Sequence, residues 1–199
     1  MTTAVDIAAR IKQMLESMQE PALAPFLADW PTMDRRRSVV GSDLPVLRWF
    51  PEIARDAGAF GMDLVAAVYR AAPSLAWRQT YTTNDVDGTF LDNYGWSEIF
   101  GEHGPLVSTR VACGLLILGP STHYPQHRHE AEEMYLPLSG TAAWQQGNAA
   151  WRDRPPGTLI HHASDEPHAM RTGAGPLLAL YLWRSDNLAQ KARLDRLAN

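Results

Sequence analysis

The two halves of the chain follow different periodicities. From Val5 to Met18 apolar side chains recur at Ile7, Ile11, Met14, Leu15 and Met18, a spacing that places them on one face of a helix, and Pro21 ends it. The stretch "PEIARDAGAFGMDLVAAVYRAA" predicts a second helical region. Pro51 suits its first turn, Ile53, Ala57, Phe60, Leu64, Val65 and Val68 share a face, and Gly58 and Gly61 divide it into two pieces. In the second half the grammar changes to short β-rich runs separated by turn residues. Strands are predicted in "LVSTRVACGLLIL", "EMYLPLSG", "TAAWQQ", "AAWRD", "GTLIHH", "HAMRT" and "PLLALYLWR". "QQGNAA" suits a tight hairpin turn, because Gly-Asn tolerates positive φ.

These elements predict a mainly β protein, an antiparallel sandwich or barrel over residues 105–199, with a helical extension over residues 1–104 packed on it as one compact unit. Two further segments complete the reading. "SDNLAQKARLDRLAN" predicts a final helix capped by Ser185 or Asp186. "DNYGWSEIFG", with its Gly-flanked aromatics, is read as a mobile cover over the barrel mouth.

Composition narrows the function. With 199 residues, 45% of them hydrophobic and 20% charged, the chain has enough core to fold without disulfides or a structural metal. A net charge of -4 gives no basic field for phosphates, so no nucleic-acid partner is expected. No apolar stretch is long enough to span a membrane, and the N-terminus lacks the apolar segment of a signal peptide. The single cysteine, Cys113, lies in an apolar run and reads as a buried small hydrophobe. The expectation is a cytoplasmic protein, monomer or homodimer, acting on a small molecule.

All seven histidines fall in the second half, and three lie within "HYPQHRHEAEEMYLPLSG". Residues two apart on a strand share a face, so His127 and His129 can aim both imidazoles at one point. Glu133, and Tyr135 two residues on, share a face of the next strand. Two imidazoles and a carboxylate form a mixed N/O site for one divalent ion, zinc or iron, with manganese or cobalt as further choices. His168, in "DEPHAM", is the expected fourth ligand. His161 and His162 are neighbours, so at most one of them can face the same site.

The sequence "HRHEAEEMYLPLSG" fits the first motif of the cupin superfamily through His127, His129, Glu133 and Gly140. "PPGTLIHHASDEPHAM" resembles the second, with Pro155, Gly157 and His168. A glycine usually found six residues before the first histidine is replaced by Ser121. The cupin resemblance implies a double-stranded β-helix, or jelly-roll barrel. It leaves the reaction open, since cupins include oxygenases, isomerases, lyases and storage proteins.

A narrower pattern, Tyr-x2-His-x-His-x3-Glu-x-Tyr with His123 in front, His168 late and "YLWR" near the end, resembles the cupin dimethylsulfoniopropionate (DMSP) lyases of marine bacteria, the Q type in particular. That resemblance implies cleavage of DMSP to dimethyl sulfide and acrylate. It implies His127 or His129, Glu133 and His168 as metal ligands, with Tyr135 an additional or exchangeable one. Tyr124 takes the base position, with its ionisation brought down by the adjacent cation, and His123 assists. Trp183 belongs to the pocket wall, where it and Tyr135 would attract the sulfonium. The remaining tryptophans, Trp30, Trp49, Trp77, Trp96, Trp144 and Trp151, are assigned to the core or to packing of the extension. The competing readings are an Fe(II)-dependent cupin dioxygenase and a non-catalytic small-molecule-binding cupin.

Overall fold

The computed structural model describes residues 2–195. Helix α1, Ala4–Met18, begins with a capping box between Thr3 and Asp6 and ends where Gln19 turns to φ 54. Its buried face is Ile7, Ala8, Ile11 and Leu15. After a short α2 (Ala24–Ala28), the second predicted region forms as two helices, α3 (Phe50–Arg55) and α4 (Met62–Ala71), interrupted across Gly58 and Gly61. A single turn, α5 (Gly88–Asp92), is capped by the Asp87 side chain, which accepts from Phe90 N–H.

Among the described residues, twelve strands form two facing sheets, the double-stranded β-helix expected of a cupin. The larger sheet runs in the order β1 (Trp77–Arg78), β2 (Tyr94–Gly101), β4 (Val111–Leu118), β11 (Leu177–Arg184), β6 (Glu132–Ser139), β9 (Ile160–His162), with β3 (Leu106–Val107) beside β2. The smaller runs β12 (Arg193–Leu194), β5 (His123–Arg128), β10 (His168–Thr172), β7 (Ala142–Gln146), β8 (Arg152–Arg154). β7 and β8 pair antiparallel across the predicted turn, where Gly147 takes φ 52.

Why the helices cover the large sheet is written in its strands. Along β4, Cys113, Leu115 and Ile117 belong to the core shared with the helices, whereas Leu116 and Leu118 face the smaller sheet. β11 divides likewise, with Leu178, Leu180 and Leu182 outward and Leu177, Ala179 and Tyr181 inward. Strands apolar on both faces must be covered on both. Ile7, Ile11, Leu15, Val65 and Val68 supply the second cover. Burial pushes the Cys113 thiol well above its usual ionisation, consistent with a packing role.

Three expectations are corrected. Strand pairing starts before residue 105, because β1 and β2 join the large sheet, so the extension is not helical up to 104. The segment "DNYGWSEIFG" is no mobile cover: it contains β2, paired with β4 along its length and almost wholly buried. Its Tyr94-Trp96 and Ile99 positions are strand formers, and the flanking glycines misled. The closing helix does not form over residues 185–195; the rest of that prediction lies outside the described residues. In its place Arg193–Leu194 pairs with β5 and covers an edge that would otherwise leave unpaired backbone groups. Ser121, at the usual glycine position, adopts φ 52, the left-handed conformation that a glycine would take more readily.

Candidate metal centre

Polar side chains enter the interior from both sheets, and strand register decides which ones meet. On the large sheet Glu133 stands opposite Trp183 of β11 and His162 of β9. On the small sheet His168 stands opposite His127 of β5 and Gln146 of β7. His129 follows directly after β5 and is also buried.

One irregularity sets the face of β5. His168 pairs with His127 and Met170 pairs with Tyr124, so two steps on β10 meet three on β5. The extra residue falls in the Pro125–Gln126 segment, and proline has no N–H to lose from a ladder. Tyr124 and His127, three apart, therefore both point inward and are buried. Their rings stack at 4.0 Å with planes 8° apart. His123 is turned outward and largely exposed, with Trp151 at 5.9 Å, and the partial desolvation of its ring together with the nearby Arg171 charge lowers its ionisation. The structure does not bring His123 into the cluster: of two neighbours on a strand only one faces in, and here it is Tyr124.

The three histidines His127, His129 and His168 share one arrangement. Each Nδ1 lies 2.9 Å from a backbone carbonyl two residues away, of Pro125, Ala131 and Glu166 respectively. A carbonyl only accepts, so Nδ1 carries the proton and Nε2 presents a lone pair. Glu133 Oε2 lies 3.0 Å from His129 Nε2 and 3.2 Å from His168 Nε2. The ligand atoms of His129, Glu133 and His168 all lie within 4.8 Å of one another. His168 Nε2 is buried with no hydrogen-bond partner among the described residues.

Acceptors facing acceptors in a buried space suit a shared cation. Backbone-anchored imidazoles are the outer support that metal-binding histidines ordinarily have. The chemistry of the donor set thus fits a divalent ion held by His129, Glu133 and His168. His127 flanks them, its ring 4.2 Å from that of His168 and 6.3 Å from that of His129.

Electrostatics follow from burial and from Glu133. Burial disfavours the carboxylate, yet the adjacent His129 and His168 imidazoles outweigh it and hold Glu133 well below the usual range. Burial likewise disfavours charge on His129, and Glu133 reverses the sign, raising it. Burial and the nearby His168 push His127 well down, and they lower His162 to about 3. His162, stacked on His168 at 4.0 Å, faces the centre, while His161 points out to Glu132 at 2.9 Å.

Tyr135 is buried beside the centre, its ring 6.4 Å from that of His168. Trp183 borders the cavity and donates Nε1–H to Glu133 Oε1 at 2.6 Å. The Tyr124 hydroxyl meets that of Tyr81 at 3.1 Å, amid Phe90 and Tyr94. Burial and the surrounding tyrosines push the Tyr124 phenol well up. The protein groups alone therefore do not lower its ionisation; the lowering expected of Tyr124 is assigned to the adjacent cation.

Residues from the segment before 105 were missed: Tyr81, Tyr94 and Trp96 all reach the interior, Trp96 at the cavity and bonded through Nε1–H to Thr80 Oγ1. Residues 188–192 were missed too. Leu188, Gln190, Lys191 and Ala192 line the cavity, and the segment is held by Gln190 Oε1 accepting from Glu130 N–H at 2.6 Å and by a two-pronged Arg128–Asp195 pair. No sequence signal marks them except Leu188 and Ala192, which lie buried in an otherwise polar stretch.

Glu98 also stands on the cavity wall, its Oε1 accepting from the N–H groups of His103 (2.5 Å) and Gly104 (2.8 Å). Burial raises its carboxyl from 4.5 to about 7 despite those bonds. A raised acid favours the protonated native state, so stability contributed at low pH is lost as pH climbs from the unfolded value through the folded one. Glu98→Gln keeps the acceptor and removes the charge. It is expected to melt above the parent protein at about pH 8, with the gap closing near pH 4. Equal melting differences at both pH values would contradict this account.

Comparison with known proteins gives a consistent result. The DMSP lyase family profile matches residues 23–179. The DMSP lyase DddQ of Ruegeria pomeroyi is 33% identical over 171 residues, covering 84% of this chain and 83% of its own. A putative DMSP lyase, DddL, of Cereibacter sphaeroides is 35% identical over 119 residues, 59% of this chain and 49% of its own. The crystal structure of the Ruegeria pomeroyi DddQ superposes with a TM-score of 0.85 at 31% identity, over 96% of this chain and 95% of that one. A chain from the crystal structures of the DMSP lyases RdDddP and RnDddQII gives 0.82 at 29% identity, over 98% and 100%.

Proposed function

The chain belongs to the DMSP lyase family of carbon–sulfur lyases, and from that premise we propose that it cleaves DMSP to dimethyl sulfide and acrylate, with Tyr124 as base. The observation that carries this reading is the meeting of a buried His129–Glu133–His168 cluster with the Tyr124 phenol, which stacks on His127 in an aromatic cavity.

DMSP has a carboxylate at one end and a sulfonium at the other. Elimination breaks the C–H bond next to the carboxylate, forms the carbon–carbon double bond, and breaks the carbon–sulfur bond with its electron pair leaving on sulfur. A divalent ion, zinc or iron in the first instance, would be held by His129, Glu133 and His168, with His127 and Tyr135 adjacent. When bound, it supplies positive charge that stabilises the carboxylate end as charge builds there.

The chain's own groups do the rest. The Tyr124 oxygen receives the proton, and the Tyr81 hydroxyl beside it at 3.1 Å offers the next hydrogen-bonding group. The faces of Tyr135 and other aromatic rings around the cavity attract the sulfonium, each contact being worth roughly 0.5–2 kcal/mol, and offer sulfur no nucleophile. Leu188, Gln190, Lys191 and Ala192 add to the cavity wall.

Gas-phase detection of dimethyl sulfide, with acrylate measured in solution, tests the reading. Purified protein loaded in turn with Zn, Fe(II), Mn or Co is expected to release the two products in equal amounts, and to do so equally under argon. Absence of product in every loading would sink the proposal, and a requirement for oxygen would replace it with the dioxygenase reading.

A further inference from the structure

Trp183 does more than border the cavity. It stands directly opposite Glu133 in the β11–β6 register, and its Nε1–H reaches Glu133 Oε1 at 2.6 Å. Its ring also packs on His129, with centroids 4.2 Å apart and planes 35° apart. Two of the three close ligand residues are thus touched by one indole.

The consequence is directional. A carboxylate has two equivalent oxygens and rotates with little resistance, so a glutamate alone can offer either one or both. An indole N–H can only donate, and a short bond from it to a carboxylate is of the strong, charge-assisted kind. With Oε1 taken, Oε2 is the oxygen that faces His129 Nε2 at 3.0 Å and His168 Nε2 at 3.2 Å. The His129 ring, fixed at Nδ1 by Ala131 O, is fixed on its face by the same indole.

We propose that Trp183 is a positioning residue of the metal centre, which commits Glu133 to bind through Oε2 and holds the His129 plane. This inference rests on the reading of His129, Glu133 and His168 as ligands.

The test separates the two. Trp183→Phe keeps an aromatic face for the sulfonium and removes the N–H. Zinc affinity is measured by chelator competition and coordination by the visible spectrum of the cobalt form, alongside KM at saturating metal. The inference expects zinc to bind roughly 10–100-fold more weakly, the loss typical when a ligand's outer partner is removed, with an altered cobalt spectrum and an unchanged KM. Unchanged zinc affinity and cobalt spectrum with a raised KM would overturn it and return Trp183 to the pocket wall. If Trp183→Phe does not fold, incorporation of the benzothienyl analogue of tryptophan, in which sulfur replaces the N–H, gives the same readings with the ring retained. Glu133→Gln serves as the reference. If it binds zinc as tightly as the parent protein, the ligand reading itself is wrong; if it binds weakly while the Trp183 variants bind normally, only the present inference is.

Discussion

Tyr124→Phe is expected to lower kcat by roughly a hundred- to ten-thousand-fold, the range a positioned general base contributes, while metal content stays at the parent level. The substitution removes one oxygen and leaves the ring that stacks on His127 and packs against Phe90 and Tyr94. Its structural cost is the bond to the Tyr81 hydroxyl, about 1 kcal/mol for a neutral pair. A fall in activity of the expected size is therefore far beyond what loosened packing supplies. The checks are steady-state kinetics, elemental analysis and a melting curve on one preparation. Retained turnover would move the base to another hydroxyl, and Tyr135, buried on the other sheet beside His168, is the next to test. Burial pushes the Tyr124 phenol up, so a phenolate there needs positive charge close by, and base and ion are expected to fail together.

Spacing made the centre legible and registry did not. His127, His129 and Glu133 could be found because their separations, two and four residues, are properties of a strand–bend–strand segment. His168 was legible from its Pro-His position after a turn. Period-2 logic also limited His161 and His162 to one inward-facing ring, and the structure makes it His162. The same logic did not reach Tyr124 and His123, because a bulge at Pro125–Gln126 changes which neighbour faces inward, and the Pro was the one clue. The first half was read as helical cover throughout, yet β1 and β2 enter the large sheet and bring Trp96 to the cavity. β2 is a continuous, two-sided buried strand, and such a strand has no alternation to read. The closing segment was misread for the converse reason. Its leucine and alanine spacing suits a helix locally, and the edge of β5 offered it a better partner. Trp183 shows a subtler gap: its position on the inner face was readable, but its donation to Glu133 depends on β11 lying beside β6, a pairing across 50 residues.

Glu133→Gln is expected to yield a folded protein that purifies with little metal and makes no detectable dimethyl sulfide. The amide keeps the shape of the carboxylate. Its oxygen can accept from Trp183 Nε1–H, and its amide nitrogen can donate to His129 Nε2, which lies 3.0 Å from Glu133 Oε2 in the parent chain. Burying a neutral, satisfied amide costs less than burying a carboxylate that is fully enclosed. The variant should therefore melt no lower than the parent protein stripped of metal by a chelator. What it loses is the single negative charge of the close trio, and two imidazoles alone bind a divalent ion far more weakly than two imidazoles and a carboxylate. Adding Zn, Fe(II), Mn or Co to the stripped parent protein should restore turnover, whereas the same additions should leave Glu133→Gln inactive. One equivalent of tightly bound metal in the variant would shift the ligand set to His127, His129 and His168, whose Nε2 atoms are all left unprotonated by their backbone anchors. If that metal-replete variant were also inactive, Glu133 would belong to the chemistry and not to the binding.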